Sequence, residues 1–143
     1  MTEAIVKADQ QIGALAAAPV GASYCSINID AEDRTTAAKV YNALNNPEGR
    51  ISDMINKDIA VKDVLIEITE VINAETGATE QAPRVVLIDE KGKAYQSVSV
   101  GMYGAVRNLV KIYGEPTWEP PITCTVIQKK TGKGSMLTLL AKS

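Results

Sequence analysis

Residues 83–118 constrain the fold more than any other part of the chain. Residues 84–89 (RVVLID) are apolar enough for a strand that is buried on both faces. Residues 89–92 (DEKG) predict a short hairpin turn, because a glycine tolerates the positive φ that such turns require. A second strand is expected at 93–100, and a helix and a Pro-flanked loop follow it. The segment therefore predicts the order strand, turn, strand, helix, loop.

The flanking segments extend this order to that of a known barrel. One long strand pattern precedes the segment at 61–73, and two more follow it at 122–129 and 136–142. The order β-β-β-α-β-β is that of the OB fold, which often binds single-stranded nucleic acid or oligosaccharide. The upstream part adds a strand at 24–29 and a helix. The prediction is a mainly β protein with α, namely an OB-type five-stranded barrel with an additional N-terminal strand and helix.

The upstream helix is expected to begin after Asp30, whose side chain suits an N-cap. Four residues at the spacing of one helical face predict its buried stripe, namely Ala37, Val40, Tyr41 and Leu44. Tyr41 is therefore expected in the core.

The second helix is expected to be capped by Ser99 and to end at Gly114. Its periodicity predicts a buried stripe in which an aromatic residue ends a row of aliphatic ones: Met102, Val106, Leu109 and Tyr113.

A chain of 143 residues suits one domain with a sizeable core. We expect residues 1–20 to form an N-terminal arm or a short helix. Residues 21–143 are expected to form a single OB-type domain, with the barrel core at about 61–143 and a strand-helix extension at 21–60. The stretch AETGATEQAP, residues 74–83, is predicted as a long, flexible loop.

Charge is distributed unevenly along the chain. Residues 1–80 carry six Lys/Arg and thirteen Asp/Glu, whereas residues 81–143 carry nine and four. A basic C-terminal half can attract a polyanion while an acidic N-terminal half keeps the chain soluble. The alternative is that solvated faces differ in charge by chance.

The composition argues against several classes of function. The chain has no histidine, which removes the commonest metal ligand and the commonest acid–base catalyst. Its two cysteines predict buried free thiols, with a disulfide between them as the alternative. No apolar run approaches a membrane span, and the N-terminus does not have the pattern of a signal peptide. We therefore expect a cytoplasmic protein that is not an enzyme and that uses no cofactor, metal or membrane.

Several blocks of the sequence resemble one family. The blocks KVYNALNNPEGRISDMIN, APRVVLIDEKGKAYQSVS, IYGEPTW and TVIQKKTGKGSMLTLL together resemble single-stranded DNA-binding proteins encoded by phages and mobile elements of Gram-positive hosts. The resemblance covers roughly residues 22–143. It implies an OB-type barrel that coats the single strand exposed during phage DNA replication, in the host cytoplasm.

Single-strand binding without sequence preference needs cations along the phosphates and flat rings on which bases stack. In an OB barrel the second and third strands and two loops line the groove. Tyr95 is the best stacking candidate, since Ser97 and Ser99 share its strand face; the alternative is that its ring packs under a loop. The cations and polar groups that this geometry selects are Arg84, Lys91, Lys93, Ser97, Lys129, Lys130 and Lys133.

Three further residues are candidates whose surroundings are open. Trp118 either stacks on a base or plugs the end of the barrel. Tyr103 lies off the main stripe of its helix, so we expect its ring to be exposed. Arg50 either reaches the groove or is a solvated surface cation.

Two functional hypotheses follow. The first is a protein that binds and coats single-stranded DNA during phage or mobile-element replication, with replication proteins and further copies of itself as possible partners. The second is a protein-interaction or assembly module on an OB scaffold that binds no nucleic acid. Salt-sensitive binding of single strands distinguishes them, because phosphate contacts release counterions.

Overall fold

The computed structural model describes residues 8–29, 32–132 and 134–142, and within them one curled sheet organises the chain. Two short 3₁₀ turns, Leu15–Ala17 and Ile51–Met54, connect helices and strands. The helices are α1 (Ala8–Ala14), α2 (Arg34–Asn45) and α3 (Val100–Tyr113). The strands are β1 (Ser23–Cys25), β2 (Gly49–Arg50), β3 (Asp58–Ile72), β4 (Thr79–Asp89), β5 (Ala94–Val98), β6 (Ile122–Thr131) and β7 (Gly134–Ala141).

The order of strands in the sheet is consistent with an OB-like fold. The order is β2-β5-β4-β3-β6-β7, and β1 pairs with β3 in addition. Strand β3 pairs with β4 along most of its length but with β6 only over Asp58–Val61, so the sheet curls around β3. Among the described residues β5 and β7 form no ladder with each other. The protein is therefore mostly β with α, and its sheet is an open, curled half-barrel that is consistent with the predicted OB-type fold.

The inner face of the curl forms the main core. Fully buried side chains from β3, β4 and β6 meet Met102 and Val106 of α3 there. Helix α1 closes one side, because Ile12 is fully buried and the Tyr103 hydroxyl donates a hydrogen bond to the Ile12 carbonyl. Of the two alternatives for residues 1–20, the structure gives a helix at Ala8–Ala14. Residues 1–7 lie outside the described part.

Helix α2 covers part of the outer face of the sheet. Val40 and Ala43 pack over Val86 and Ile88. The prediction that Tyr41 is buried is wrong, because its side chain is 62% exposed. The contact stripe is centred on Val40, and the next residue points about 100° away around the helix.

The N-terminal end of α2 also differs from its prediction. Asp33 caps the helix, and its carboxylate accepts hydrogen bonds from the backbone N–H and the hydroxyl of Thr36. These hydrogen bonds hold the pKa of Asp33 below its usual value. The predicted cap, Asp30, lies outside the described residues.

Helix α3 begins and ends where the sequence predicts. The Ser99 hydroxyl accepts a hydrogen bond from the Met102 N–H, and Gly114 ends the helix with a φ of 92°. Met102, Val106 and Leu109 are buried as predicted. Tyr113 is half exposed instead of buried, because its ring lines an open cavity beside residues 117–123.

Strands β3 and β4 continue past the rest of the sheet as a two-stranded extension. The predicted loop is therefore shorter than expected: β4 begins at Thr79, which pairs with Ile72, so only residues 73–78 form the turn. The Asn73 side chain accepts hydrogen bonds from two backbone N–H groups of this turn, and Gly77 takes a φ of 70°. These contacts define the conformation of the turn.

Replacing Tyr24 by phenylalanine is expected to raise the free energy of unfolding by about 1 kcal/mol at pH 7. The Tyr24 hydroxyl is buried and has no hydrogen-bond partner among the described residues, and burying such a group costs about 1–3 kcal/mol. The measurement is urea denaturation, with Tyr113→Phe as the control at a half-exposed ring.

The same variant changes the alkaline stability. Burial, followed by the charges of Glu115, Cys25 and Asp63, raises the pKa of Tyr24 from 10.0 to about 12. Between these two pH values the unfolded chain ionises Tyr24 while the folded chain keeps it neutral, so stability falls as the pH rises. In Tyr24→Phe, the free energy of unfolding is expected to fall less steeply as the pH rises from 10.0 to about 12. An unchanged alkaline profile would contradict this assignment.

Candidate nucleic-acid interface

A groove of about 500 Å³ opens between the end of β5 and the start of β7. It lies where the curled sheet fails to close, so its walls are parts of strands rather than flexible loops. Its lining combines one cation, several hydroxyls and a few apolar side chains: Arg50, Ser52, Gln96, Ser97, Val98, Ser99, Ser135, Met136 and Leu137.

Two strand edges border this groove. Strand β5 pairs with β4 on one side, but on its other side β2 reaches only Tyr95 and Gln96. From Ser97 onward that side of β5 has no strand partner in the described part of the chain. Strand β7 likewise pairs only with β6 there. Backbone groups along both edges can therefore donate and accept hydrogen bonds to a polar ligand that enters the groove.

The side chains of the groove suit a chain of phosphates, sugars and bases. Serine hydroxyls both donate and accept hydrogen bonds, and Arg50 is an exposed cation that can pair with a phosphate. Val98 and Met136, which are 48% and 40% exposed, offer apolar surface to sugars and base faces. Ser97 and Arg50, both predicted as site residues, are brought together here.

The β6–β7 hairpin places two of the predicted lysines beside the groove. Lys129 and Lys130 are exposed, and their cross-strand partners are Met136 and Ser135, which line the groove. The predicted Lys133 lies outside the described residues. The hairpin therefore adds positive charge beside the groove to that of Arg50 within it.

Lys91 and Lys93 lie elsewhere. The turn that carries them is fixed by the Asp89 carboxylate, which accepts hydrogen bonds from the backbone N–H of both lysines. Both side chains are exposed, and the Lys93 ammonium lies 5.4 Å from the centre of the Tyr95 ring. Since the groove borders the other end of β5, the length of this strand separates these two cations from it.

The prediction that Tyr95 presents an exposed ring is wrong. The side chain is 7% exposed and belongs to the main core, where it packs against Gly49. Tyr95 and Ser97 do share one strand face, as the sequence indicates. That face points into the curl at Tyr95 and emerges into the groove only at Ser97.

Arg84 has a structural position. Its side chain is 12% exposed, and its guanidinium donates to the Glu67 carboxylate, the Gln96 side chain and the Leu44 carbonyl. These contacts tie the C-terminal end of α2 to β3 and β5. Arg84 therefore positions Gln96, a groove residue, and its guanidinium is already committed to protein partners.

Trp118 and Tyr103 are both buried. Trp118 is 6% exposed, its indole N–H donates to the Gly114 carbonyl at 2.9 Å, and its backbone N–H donates to Lys62. This placement matches the plug alternative. The prediction that Tyr103 is exposed is wrong, since α1 covers its ring. The sequence did not decide whether this N-terminal segment is a helix or an arm.

Two exposed rings were missed. Among the aromatic residues in the described part, Tyr41 is 62% and Tyr113 50% exposed. Tyr41 lies one turn before the end of α2, and Arg84 ties that end to Gln96 in the groove. Tyr113 lies by a separate cavity of about 680 Å³, which shares no lining residue with the groove. The sequence signal for the exposed Tyr41 was Ala43. A buried stripe that contains Val40 and Ala43 lies on a different side of α2 from Tyr41.

The buried polar groups of the protein are structural. Asp63 accepts hydrogen bonds from the hydroxyls of Ser26 and Thr117, which fasten β1 and the Trp118 loop to β3. Burial raises the pKa of the Cys25 thiol and raises that of Cys124 to about 11, so both thiols stay protonated at neutral pH. No cluster of metal-ligating side chains occurs among the described residues, and no helix there is long and apolar enough to span a membrane.

Comparison with known proteins identifies a family. A family model described as phage single-stranded DNA-binding protein matches residues 22–141. No curated protein and no solved structure matches the chain. The matched range begins just before β1 and reaches the end of β7, so it includes the groove and the hairpin.

Proposed function

Since this chain belongs to the family of phage single-stranded DNA-binding proteins, we propose that it coats single-stranded DNA without strong sequence preference during phage or mobile-element replication. The host cytoplasm is the expected location, and replication proteins are expected partners. The family is one of binding proteins. Binding of this kind needs no acid–base catalyst, so it does not require the histidine that the chain lacks.

The groove between β5 and β7 is the observation that carries this proposal. It combines the exposed Arg50, hydroxyl groups and two strand edges, and the lysines of the β6–β7 hairpin continue it. These groups recognise phosphates and sugars, which every nucleotide has, so they favour binding that tolerates any sequence. Lys129, Lys130, Arg50 and Ser97 are the proposed contacts.

The stacking ring of this proposal is Tyr41 rather than Tyr95. Stacking requires an accessible face, and Tyr41 has the most exposed ring among the described aromatic residues. Arg84 bonds both Gln96 of the groove and the Leu44 carbonyl in the last turn of α2, so the helix that carries Tyr41 is joined to this wall of the groove. Lys91 and Lys93 are proposed as outer contacts, whereas Arg84, Tyr95, Tyr103 and Trp118 support the fold.

Tyr41→Ala is expected to weaken binding of short oligo(dT) by about 1–3 kcal/mol, because one base loses its stacking partner. This corresponds to roughly 5- to 150-fold in Kd. Fluorescence anisotropy of a labelled oligonucleotide measures it. Tyr113→Ala is the matched control and is expected to leave the affinity unchanged, and Tyr41→Phe is expected to retain it. Equal losses in both alanine variants would refute a specific role for Tyr41.

The same assay tests the function itself. Wild-type protein is expected to bind oligo(dT) tightly at low salt, more weakly at high salt, and to bind a matched duplex poorly. The alternative, an assembly module without nucleic-acid binding, predicts no salt-sensitive binding to either. The acidic N-terminal half of the chain is the feature that favours this alternative.

A further inference from the structure

Gly101, in the first turn of α3, lies directly against the β7 wall of the groove. A Cβ added to this glycine would be 2.8 Å from the Leu137 carbonyl oxygen and 3.4 Å from the end of the Met136 side chain, and both of those residues line the groove. Even close C–H···O contacts in proteins are longer, at about 3.3 Å. The backbone of α3 can therefore approach β7 this closely only because residue 101 has no side chain.

Helix formation does not explain the glycine at this position. Glycine is disfavoured relative to alanine in helices, and Gly101 has no positive φ that would require it. Gly104, one turn later in α3, gives the contrast. A Cβ there would meet no described atom within 4 Å outside its chain neighbours and the backbone of its own helix. The requirement at residue 101 therefore comes from the contact with β7.

The α3 side of this contact is fixed. The Ser99 backbone N–H donates a hydrogen bond to the Pro83 carbonyl, and the Ser99 hydroxyl caps the helix. Met102, the next residue after the glycine, is fully buried in the main core. The β7 side has more freedom, because in the described chain this strand pairs only with β6. An added Cβ at residue 101 is therefore expected to displace the start of β7 rather than α3.

A displacement of β7 at this point also moves the two lysines of the β6–β7 hairpin. Lys129 pairs with Met136, which faces Gly101. Lys130 pairs with Ser135, one residue earlier on β7. The contact at Gly101 thus sets how far the two lysines lie from the β5 side of the groove.

We infer that Gly101 is a positioning residue for single-strand binding. Its missing side chain holds the β7 wall, and with it Lys129 and Lys130, at the distance from β5 that the DNA strand requires. This inference rests on the proposed function, because it takes the groove as the binding site. Gly101 acts through the two lysines rather than through a contact of its own with DNA.

The test is a double-mutant cycle on the binding of short oligo(dT) at low salt. Gly101→Ala is measured alone and together with Lys129→Ala and Lys130→Ala, and Gly104→Ala is the matched control in both backgrounds. Alone, Gly101→Ala is expected to bind about tenfold more weakly than Gly104→Ala, which is part of what two phosphate contacts contribute. Without the two lysines the difference is expected to disappear, because coupled residues do not have additive effects.

Backbone amide chemical shifts of the variants without DNA give the structural readout. Gly101→Ala is expected to shift the amides of 128–130 and 135–137 and to leave those of β3 and β4 close to their wild-type positions. Gly104→Ala is expected to change only its own surroundings in α3.

Equal affinity of Gly101→Ala and Gly104→Ala would overturn the inference, as would a tenfold loss that persists without the two lysines. A Gly101→Ala protein that does not fold would overturn it too, because the glycine would then serve the core rather than a wall that can move. Failure of both the wild type and Gly104→Ala to bind the oligonucleotide would instead refute the proposed function.

Discussion

Replacing Lys129 and Lys130 together by glutamate is expected to lower the affinity for short oligo(dT) roughly 100- to 1,000-fold at low salt. Both side chains are exposed beside the groove. A phosphate contact near water contributes about 1 kcal/mol, and reversal replaces it by a similar repulsion. Two reversals therefore amount to about 4 kcal/mol, of which each 1.4 kcal/mol is tenfold in Kd.

The salt dependence gives a second readout of the same variant. Loss of two phosphate contacts on a single strand is expected to reduce the slope of log K against log salt by about 1.4. Arg34→Glu with Lys111→Glu is the control, because it makes the same change in net charge at exposed positions that do not line the groove. If the control loses as much affinity as the hairpin variant, the overall charge of the protein governs binding and the hairpin has no special role.

Trp118→Ala is expected to lower the free energy of unfolding by about 3–5 kcal/mol, the usual cost of removing a buried aromatic side chain. The ring is 6% exposed within the main core, and its indole N–H is bonded to the Gly114 carbonyl. A loss of this size is a large part of the 5–15 kcal/mol that stabilises a typical domain. Chemical denaturation measures it.

The affinity of a conservative variant for oligo(dT) distinguishes this structural role of Trp118 from a role in base stacking. Trp118→Phe retains most of the ring volume, so it is expected to stay folded and to bind oligo(dT) with wild-type affinity. In the wild-type protein, DNA is expected to quench the tryptophan fluorescence only slightly, because Trp118 is buried and does not line the groove. A folded Trp118→Phe protein that binds at least tenfold more weakly would show that Trp118 contacts DNA.

The sequence predicted the order of the barrel strands and both ends of α3, because these depend on local signals. Alternating apolar residues, a hairpin glycine, the Ser99 cap and the final Gly114 each act within a few residues. The family resemblance rested on blocks in the same order and agrees with the family that the comparison identifies.

Burial of individual aromatic side chains was predicted less well, because it depends on how the elements pack. Tyr95 follows the alternation of its strand, but only the curl of the sheet decides which face is inside. Tyr41 lies at the border of its helical stripe. Val40 and Ala43 form the contact with the sheet, so the Tyr41 ring points outward. Tyr103 is buried by α1, whose packing against α3 no local pattern indicated.

The groove itself could not be predicted from the sequence. Arg50 and Ser135 lie far apart in the chain, and they meet only because the sheet stays open between β5 and β7. Arg84 shows the opposite error. Its position on a strand of the expected binding face suggested a DNA contact, but its guanidinium donates hydrogen bonds to three protein groups. Charge and strand position selected residues beside the groove, such as Ser97 and Lys129, as well as internal ones such as Arg84, and could not distinguish the two kinds.

Backbone NMR titration with short oligo(dT) tests the location of the binding site most directly. Chemical-shift changes are expected at the amides of 96–99 and 135–137 and in the hairpin lysines, with little change at the Trp118 indole. A matched duplex is expected to shift these signals much less. Changes centred on residues 117–123 and Tyr113 would place DNA at the other cavity, and no changes with either ligand would contradict single-strand binding by this groove.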